Sequence, residues 1–108
     1  MYLHTFKKAT IGRLFEPRTA LTNTLVYEAM FEIFGTHRNT LIGVNDINNE
    51  NEWAYSSSSA QPVAFEKPWN IGQPDGVTKQ NCIIFGYSQD ERWNDMECLD
   101  KYRFICEF

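Results

Sequence analysis

The sequence lacks the features that mark several classes of protein. No apolar run approaches the ~20 residues of a membrane-spanning helix, and the first ten residues are polar and basic, unlike an apolar secretion signal. The chain also contains no glycine-rich phosphate loop, no GxSxG turn and no pair of histidines at metal-binding spacing. We therefore expect neither membrane insertion nor enzymatic activity.

Basic residues are scarce beyond the start of the chain. Residues 1–18 contain four basic residues and one acidic residue, whereas the remainder contains six basic and thirteen acidic residues. This acidic remainder disfavours binding to nucleic acid and leaves carboxylates available for a hard cation. A length of 108 residues, of which 43% are hydrophobic, suits a single domain with one core.

Cysteine is scarce as well, and its count is odd. Cys82, Cys98 and Cys106 all lie within the last 27 residues, and no CxxC or cysteine–histidine pair at zinc spacing occurs. A zinc site is therefore not expected, and one thiol lacks a partner within the chain. Two interpretations stay open here: a cytosolic protein with three reduced cysteines, or an excised domain whose upstream part has been removed.

The hydrophobic pattern predicts one helix. From Thr19 to Phe34 apolar residues recur with a period of 3.6, with Pro17 and Thr19 at the start and Gly35 at the end. The apolar positions are Leu21, Leu25, Ala29 and Ile33, with Val26, Met30 and Phe34 alongside.

After Gly35 the pattern predicts short strands and one long loop. Asn45–Glu52 is a polar turn in which Asn51 can adopt a left-handed conformation. Residues 56–79 show no sustained period, begin with a plain turn at Ser56–Ser59, and are long enough to indicate a functional loop. Strands are predicted at Thr40–Val44, Trp53–Tyr55, Cys82–Tyr87, Glu91–Trp93 and Tyr102–Phe108.

A series of short motifs occurs in a specific order: GRLFEPRT before the helix, LIGVND and then NEW, WNIGQPDG, NC, WND with a cysteine three residues on, and FICEF. In this order and spacing, the chain from about Ile11 to Phe108 resembles a C-type lectin-like domain. The resemblance implies an α+β fold, with one or two helices packed on short antiparallel sheets and a long ordered loop. Because the family's opening strand and the start of its first helix have no counterpart in MYLHTF, we expect residues 1–108 to form a single domain without them.

The resemblance also implies a Ca²⁺ site shared between the long loop and a following strand. Its ligands would be Gln73 and Asp75 on either side of Pro74, together with Gln80 and the pair Asn94–Asp95. The peptide bond before Pro74 would be cis. Calcium binds six to eight oxygens from carboxylates, amide carbonyls and water, so these side chains would leave coordination positions open.

In the family, two adjacent sugar hydroxyls fill those open positions. Gln73, Asp75, Asn94 and Asp95 would hydrogen-bond the same hydroxyls, since an amide nitrogen donates and a carboxylate only accepts. The order Q-P-D goes with galactose-type sugars in relatives, and E-P-N goes with mannose-type sugars. The resemblance therefore implies recognition of terminal galactose or a related glycan by a secreted or extracellular protein.

Several positions depart from the family pattern. Calcium-binding members usually carry Glu where this chain has Gln80, so Asp75 and Asp95 are the only anions of the expected site, and Lys79 opposes a divalent cation. We expect an affinity on the order of 10⁻⁴–10⁻³ M, or none. Gly76 stands where galactose-type members often carry an aromatic ring for stacking on the sugar.

Three other side chains are candidates for a role near the site. Tyr87 is a candidate substitute for the missing aromatic ring. Asp46 and Glu50 match ligands of a second calcium ion, but its other usual ligands fall at Gly76 and Gln80. Solvated acids in an Asn-rich turn are therefore the expected state of Asp46 and Glu50.

The resemblance implies a disulfide between Cys82 and Cys98, which closes a loop of about 17 residues and stabilises the fold by roughly 3 kcal/mol. The usual partner of Cys106 is missing, so Cys106 is expected to be unpaired or to join another chain in an oligomer. The three tryptophans are expected in the core. A calcium-independent protein-binding module and an ice- or mineral-binding module remain open as alternative functions on the same fold.

Overall fold

A computed structural model describes residues 2–4, 13–35, 39–75, 80–98 and 102–107. Within these residues the chain forms one helix and one sheet of eight strands. The elements in chain order are β1 (Tyr2–His4), β2 (Arg13–Leu14), α1 (Ala20–Phe34), β3 (Thr40–Asn45), β4 (Ala54–Tyr55), β5 (Ser58–Pro62), β6 (Cys82–Phe85), β7 (Trp93–Met96) and β8 (Arg103–Glu107).

Helix α1 begins and ends where its capping residues predict. The Thr19 hydroxyl accepts a hydrogen bond from the Thr22 backbone N–H at 3.0 Å, which satisfies a donor that the first turn leaves free. Gly35 is left-handed, with φ of 70°, and its N–H donates to the Phe31 carbonyl at 2.7 Å. This geometry ends the helix at a position that suits glycine.

The buried face of α1 matches only part of the predicted pattern, because Val26 and Met30 are buried as expected whereas the main stripe is not. Leu21, Leu25 and Ile33 are 67%, 54% and 66% exposed. The buried positions are Asn23, Val26, Tyr27 and Met30. The prediction missed Asn23 and Tyr27, two positions beyond Leu21 and Leu25, because it counted only strongly apolar residues, whereas these two occupy the core through a hydrogen bond and a ring contact.

Strand β3 is the central strand of the sheet. It pairs antiparallel with β4 and β6 and parallel with β8, through Thr40↔Arg103 and Leu41↔Phe104. The sheet continues from β8 to β1 and β2, from β6 to β7, and from β4 to β5. One helix and one mixed sheet confirm the α+β class, and the parallel β3–β8 pair is a feature that the predicted antiparallel sheets did not include.

Three short strands were not predicted. β1 pairs with β8 although no opening strand was expected in MYLHTF, and β2 pairs with β8 as well. β5 pairs with β4 and begins inside Ser56–Ser59, where a plain turn was predicted. These strands carry little apolar alternation, so backbone pairing with a neighbouring strand, and not a local pattern, forms them.

The tryptophans join the core to the long loop. Trp53 and Trp93 are buried, as expected, at 5% and 0% exposure, and the half-buried Trp69 packs edge to face on both, with ring centroids 5.1 and 5.9 Å apart. The aromatic cluster therefore holds the long loop against β7.

A buried carboxylate ties the segment before α1 to the sheet. Glu16 is 2% exposed, and its oxygens accept from the Arg18 guanidinium at 2.8 Å and from the Ser57 backbone N–H at 2.8 Å. Gly43 lies against this segment so closely that a Cβ there would stand 2.9 Å from Glu16 Cγ and 2.9 Å from the Leu14 carbonyl oxygen. Any side chain at position 43 would therefore displace the segment before α1, so glycine suits this position in β3.

Candidate functional site

Two segments that are distant in sequence meet at strand β7. The Trp93 backbone N–H donates to the Pro68 carbonyl at 2.8 Å, and the Asn70 backbone N–H donates to the Trp93 carbonyl at 2.9 Å. These bonds place the turn at residues 70–73 directly beside the two residues that follow Trp93 in β7.

Four of the predicted ligand residues lie together at this junction. Gln73 Oε1 accepts a hydrogen bond from the Asp95 backbone N–H, and Asp95 Oδ1 accepts one from the Asp75 backbone N–H, each at 3.2 Å. The fourth residue, Asn94, precedes Asp95 in β7. The Gln73–Pro74 peptide bond is cis, as expected.

Asn70 is a residue of this site that sequence reasoning missed. Its backbone carbonyl accepts from the Gln73 N–H at 2.9 Å, its Oδ1 accepts from the Ile71 N–H at 2.9 Å, and its Nδ2 donates to Asn94 Oδ1 at 3.2 Å. Asn70 thus closes the turn and orients the Asn94 carboxamide. An Asn that opens a turn with Gly at its third position was the available signal.

The fifth predicted ligand, Gln80, lies against Asp75. The Gln80 carboxamide faces the Asp75 carboxylate, and in the orientation that satisfies both groups its nitrogen donates to Asp75 Oδ1 and, at 3.1 Å, to Oδ2. Rotating the same carboxamide by half a turn would present its oxygen at this position instead. All five predicted ligand side chains therefore belong to one cluster.

Burial and a neighbouring carboxylate dominate the electrostatics of the cluster. Asp95 is 1% exposed, and its pKa is raised from 3.8 to about 6, first by desolvation and then by the adjoining Asp75 carboxyl. Asp75 itself is exposed and Asn94 is buried. Two acids held this close repel each other when both are ionised, and a divalent cation would relieve that repulsion.

The donor set of the cluster fits calcium. It consists of two carboxylates and three carboxamides, which are oxygen ligands of the kind that Ca²⁺ takes. No three His, Cys, Asp or Glu side chains gather at a metal-binding distance anywhere in the described ranges, so the cluster is low in charge for a cation site. The residues fit a calcium ion by chemistry and would hold it weakly.

Comparison with known proteins identifies the family. The Lectin C-type domain matches residues 9–108. This chain belongs to the C-type lectin domain family. It is 29% identical over 100 residues to tetranectin from Homo sapiens, an alignment that covers 90% of this chain and 48% of tetranectin. The chain therefore spans about half the length of that relative.

Two solved structures show how widely this lectin fold is used. Human lithostathine superimposes with a TM-score of 0.82 at 26% identity, covering 99% of this chain and 81% of that one. A calcium-independent type II antifreeze protein superimposes with a TM-score of 0.71 at 17% identity, covering 88% and 66%, and this likeness shows the fold alone. The names tetranectin, lithostathine and antifreeze protein do not denote enzymes.

The turn that matches a second calcium position of some relatives differs in part from its prediction. Asp46 of this lectin domain is 2% exposed rather than solvated, because its Oδ2 accepts from the Asn51 backbone N–H at 2.8 Å inside the turn. Among the described residues no donor faces its Oδ1. Glu50 is exposed, as expected, and its pKa is raised by desolvation and by the charge of Asp46. The left-handed Asn51, with φ of 66°, is confirmed.

The remaining sequence predictions near the site have different outcomes. Gly76 and Lys79 lie outside the described residues. Tyr87 is 60% exposed, but it follows β6 in the hairpin turn that ends at Trp93, whereas Asp95 pairs with Ile83 farther along the same hairpin. Tyr87 therefore does not adjoin the ligand cluster, and its predicted role as a sugar-stacking platform there is wrong.

The cysteines are arranged largely as expected. Cys82 and Cys98 form a disulfide, which joins the start of β6 to the end of the β7 segment. Cys106 is unpaired and 1% exposed, and burial raises its pKa. A thiol at this depth cannot reach another chain without opening β8, so the alternative of an intermolecular bridge does not fit this fold.

Across the described part of the chain, no helix combines the length and the apolar character that crossing a bilayer requires.

Proposed function

We propose that this domain binds carbohydrate through a calcium ion held by Gln73, Asp75, Gln80, Asn94 and Asp95, and that its ligand is a galactose-type sugar. The observation that carries the proposal is the mutual hydrogen bonding of the two segments. Asp75 donates its backbone N–H to Asp95, and Asp95 donates its own to Gln73, so side-chain oxygens from both segments point into one small volume.

The residues have separable roles in this proposal. Asp75 and Asp95 would carry the negative charge, and the carboxamide oxygens would complete the set. Calcium would supply open coordination positions for two adjacent hydroxyl oxygens of a sugar. The Gln73 and Asn94 carboxamide nitrogens would donate to those hydroxyls while the exposed Asp75 carboxylate would accept from them.

Preference for galactose rests on the order of Gln73 and Asp75. An amide before Pro74 and a carboxylate after it set one donor and acceptor pattern, and exchanging them reverses the pattern. The double variant Gln73→Glu, Asp75→Asn is therefore expected to move binding from galactose-type towards mannose-type glycans. An unchanged glycan profile in this variant would show that the triplet does not set the specificity.

A glycan array with calcium and again with excess EDTA tests the proposed function. Signal on terminal galactose that disappears with EDTA is expected. Asp95→Asn is the matched control, because it keeps an oxygen for the Asp75 N–H but removes the buried charge, and it should lose the calcium-dependent signal while staying folded. A galactose signal that survives both EDTA and Asp95→Asn would exclude this site.

The alternative is a calcium-independent binding module on the same fold. The contact between Gln80 and Asp75 favours it, because a carboxamide that donates to a ligand carboxylate occupies part of the site without any ion. Thermal unfolding with and without about 10 mM calcium separates the two proposals, since an ion that binds the native state alone must raise the Tm. No change in Tm would favour the alternative.

We further propose that the protein acts outside the cytosol. The Cys82–Cys98 disulfide supports this location, because disulfides persist in oxidising compartments and are rare in the cytosol. The expected result is a bridged fraction near unity in protein isolated under alkylating conditions. Fully reduced cysteines in such material would contradict the proposal.

A further inference from the structure

A cavity of about 410 Å³ lies beside strands β4 and β5. The Asn-rich turn and the start of β4 form one side of it, and Pro62, Val63 and Lys67 form the other. None of the five proposed calcium ligands lines this cavity. Its volume lies within the range of ~300–1,000 Å³ that is typical of pockets for small ligands.

The Asn-rich turn lines the cavity with carboxamides that can still bind a ligand. Asn48, Asn49 and Asn51 line the cavity, and their side chains make no hydrogen bond to any other residue that the structure describes. Asn45 differs, since its carboxamide donates to Ser56 and accepts from Ile47. Three carboxamides therefore offer both donors and acceptors to a ligand.

The cavity also has an apolar side, which residues of the β4–β5 region form. Val63 and Trp53 are 7% and 5% exposed, and the Val63 backbone N–H donates to the Trp53 carbonyl at 3.0 Å. Ala54 and Pro62 stand opposite each other in the β4–β5 pair. These residues form an apolar floor that a ligand would meet without rearranging the sheet.

The charges at the cavity cancel. Among the lining residues that the structure describes, Glu52 and Lys67 are the ionisable ones, and their opposite signs favour neither an anion nor a cation. A neutral ligand with a hydroxyl-rich edge and an apolar face matches a carboxamide wall above an apolar floor. A pyranose ring has this combination, whereas a peptide backbone has no ring face.

We propose that this cavity is a second carbohydrate site, which binds a neutral hexose without any metal ion. The site uses the Asn-rich turn for hydroxyl recognition and the Pro62–Val63 floor for the ring face. Because none of the five proposed calcium ligands lines the cavity, loss of sugar binding at one site should leave binding at the other unchanged.

Saturation-transfer NMR in excess EDTA tests the second site, with the methyl glycosides of glucose, galactose, mannose and N-acetylglucosamine as probes. At least one glycoside is expected to receive saturation from the wild-type protein. Ala54→Leu fills the cavity and should abolish that signal, whereas Asp95→Asn should leave it unchanged. Calcium-dependent binding on the array should show the reverse pattern, lost in Asp95→Asn and kept in Ala54→Leu.

A second variant covers the case in which Ala54→Leu disturbs β4. Asn48→Ala combined with Asn49→Ala changes only exposed side chains, and loss of one neutral hydrogen bond weakens binding about fivefold. The double variant should therefore weaken the interaction by at least that factor at an unchanged Tm. Absence of signal from all four glycosides in EDTA, or a signal that both variants leave intact, would overturn the proposal.

Discussion

The buried Asp95 predicts an unusual dependence of stability on pH when calcium is absent. Its native pKa of about 6 lies above its ordinary value of 3.8, because desolvation and the Asp75 carboxyl disfavour the ionised form. Between pH 4 and 6, approximately, the native state therefore binds more protons than the unfolded state. The contribution of this group to stability is full below about pH 4 and is lost as the pH rises through about 6.

The size of the effect follows from the two pKa values. A change from 3.8 to about 6 corresponds to a loss of about 3 kcal/mol as an upper value. For a domain of this length each kcal/mol moves the Tm by about 4 °C, so the loss amounts to at most about 12 °C. Other carboxylates that are stabilised in the native state act in the opposite direction, and the comparison must isolate Asp95.

Thermal unfolding of the wild type and of Asp95→Asn in EDTA, from pH 4 to pH 8, isolates the contribution of Asp95 to stability. The Tm of the wild type minus that of the variant should fall across this range and level off above about pH 7. Calcium at about 10 mM should restore about 1–3 kcal/mol at pH 7.5 and little at pH 4.5, where Asp95 is protonated. A difference that rises with pH in EDTA would refute the assignment of the raised pKa.

Three further predictions concern the scaffold. Gly43→Ala should lower the free energy of unfolding by about 1–3 kcal/mol, because its Cβ would overlap Glu16 Cγ; an unchanged urea midpoint would contradict the close approach. Asn23→Ala should lower the free energy of unfolding by about 2–3 kcal/mol, because it leaves the buried Trp93 Nε1–H without its acceptor at 3.0 Å. The exposed Ala29→Ser variant is the control in the same urea titration. Cys106 should resist iodoacetamide in the native protein and react as one thiol per chain in guanidinium, since it is buried and unpaired; rapid native alkylation, followed by mass spectrometry, would show that β8 opens.

Much of the candidate site could be predicted from sequence because its signals are local or belong to a motif. The resemblance implied the cis bond before Pro74 and the Cys82–Cys98 bridge, and both are present. The same resemblance named all five side chains of the ligand cluster. Asn70 was missed because its role depends on Asn94, which lies 24 positions away in the chain.

By itself, the sequence determined where helix α1 begins and ends, since capping hydrogen bonds and a left-handed glycine act within one turn of the backbone. It also determined which residue types can supply oxygens to a cation. The tertiary structure alone decided which face of α1 is buried, that Asp46 is enclosed and that Tyr87 lies away from the ligand cluster. Burial and proximity depend on partners contributed by distant strands, and no local pattern of residues encodes those partners.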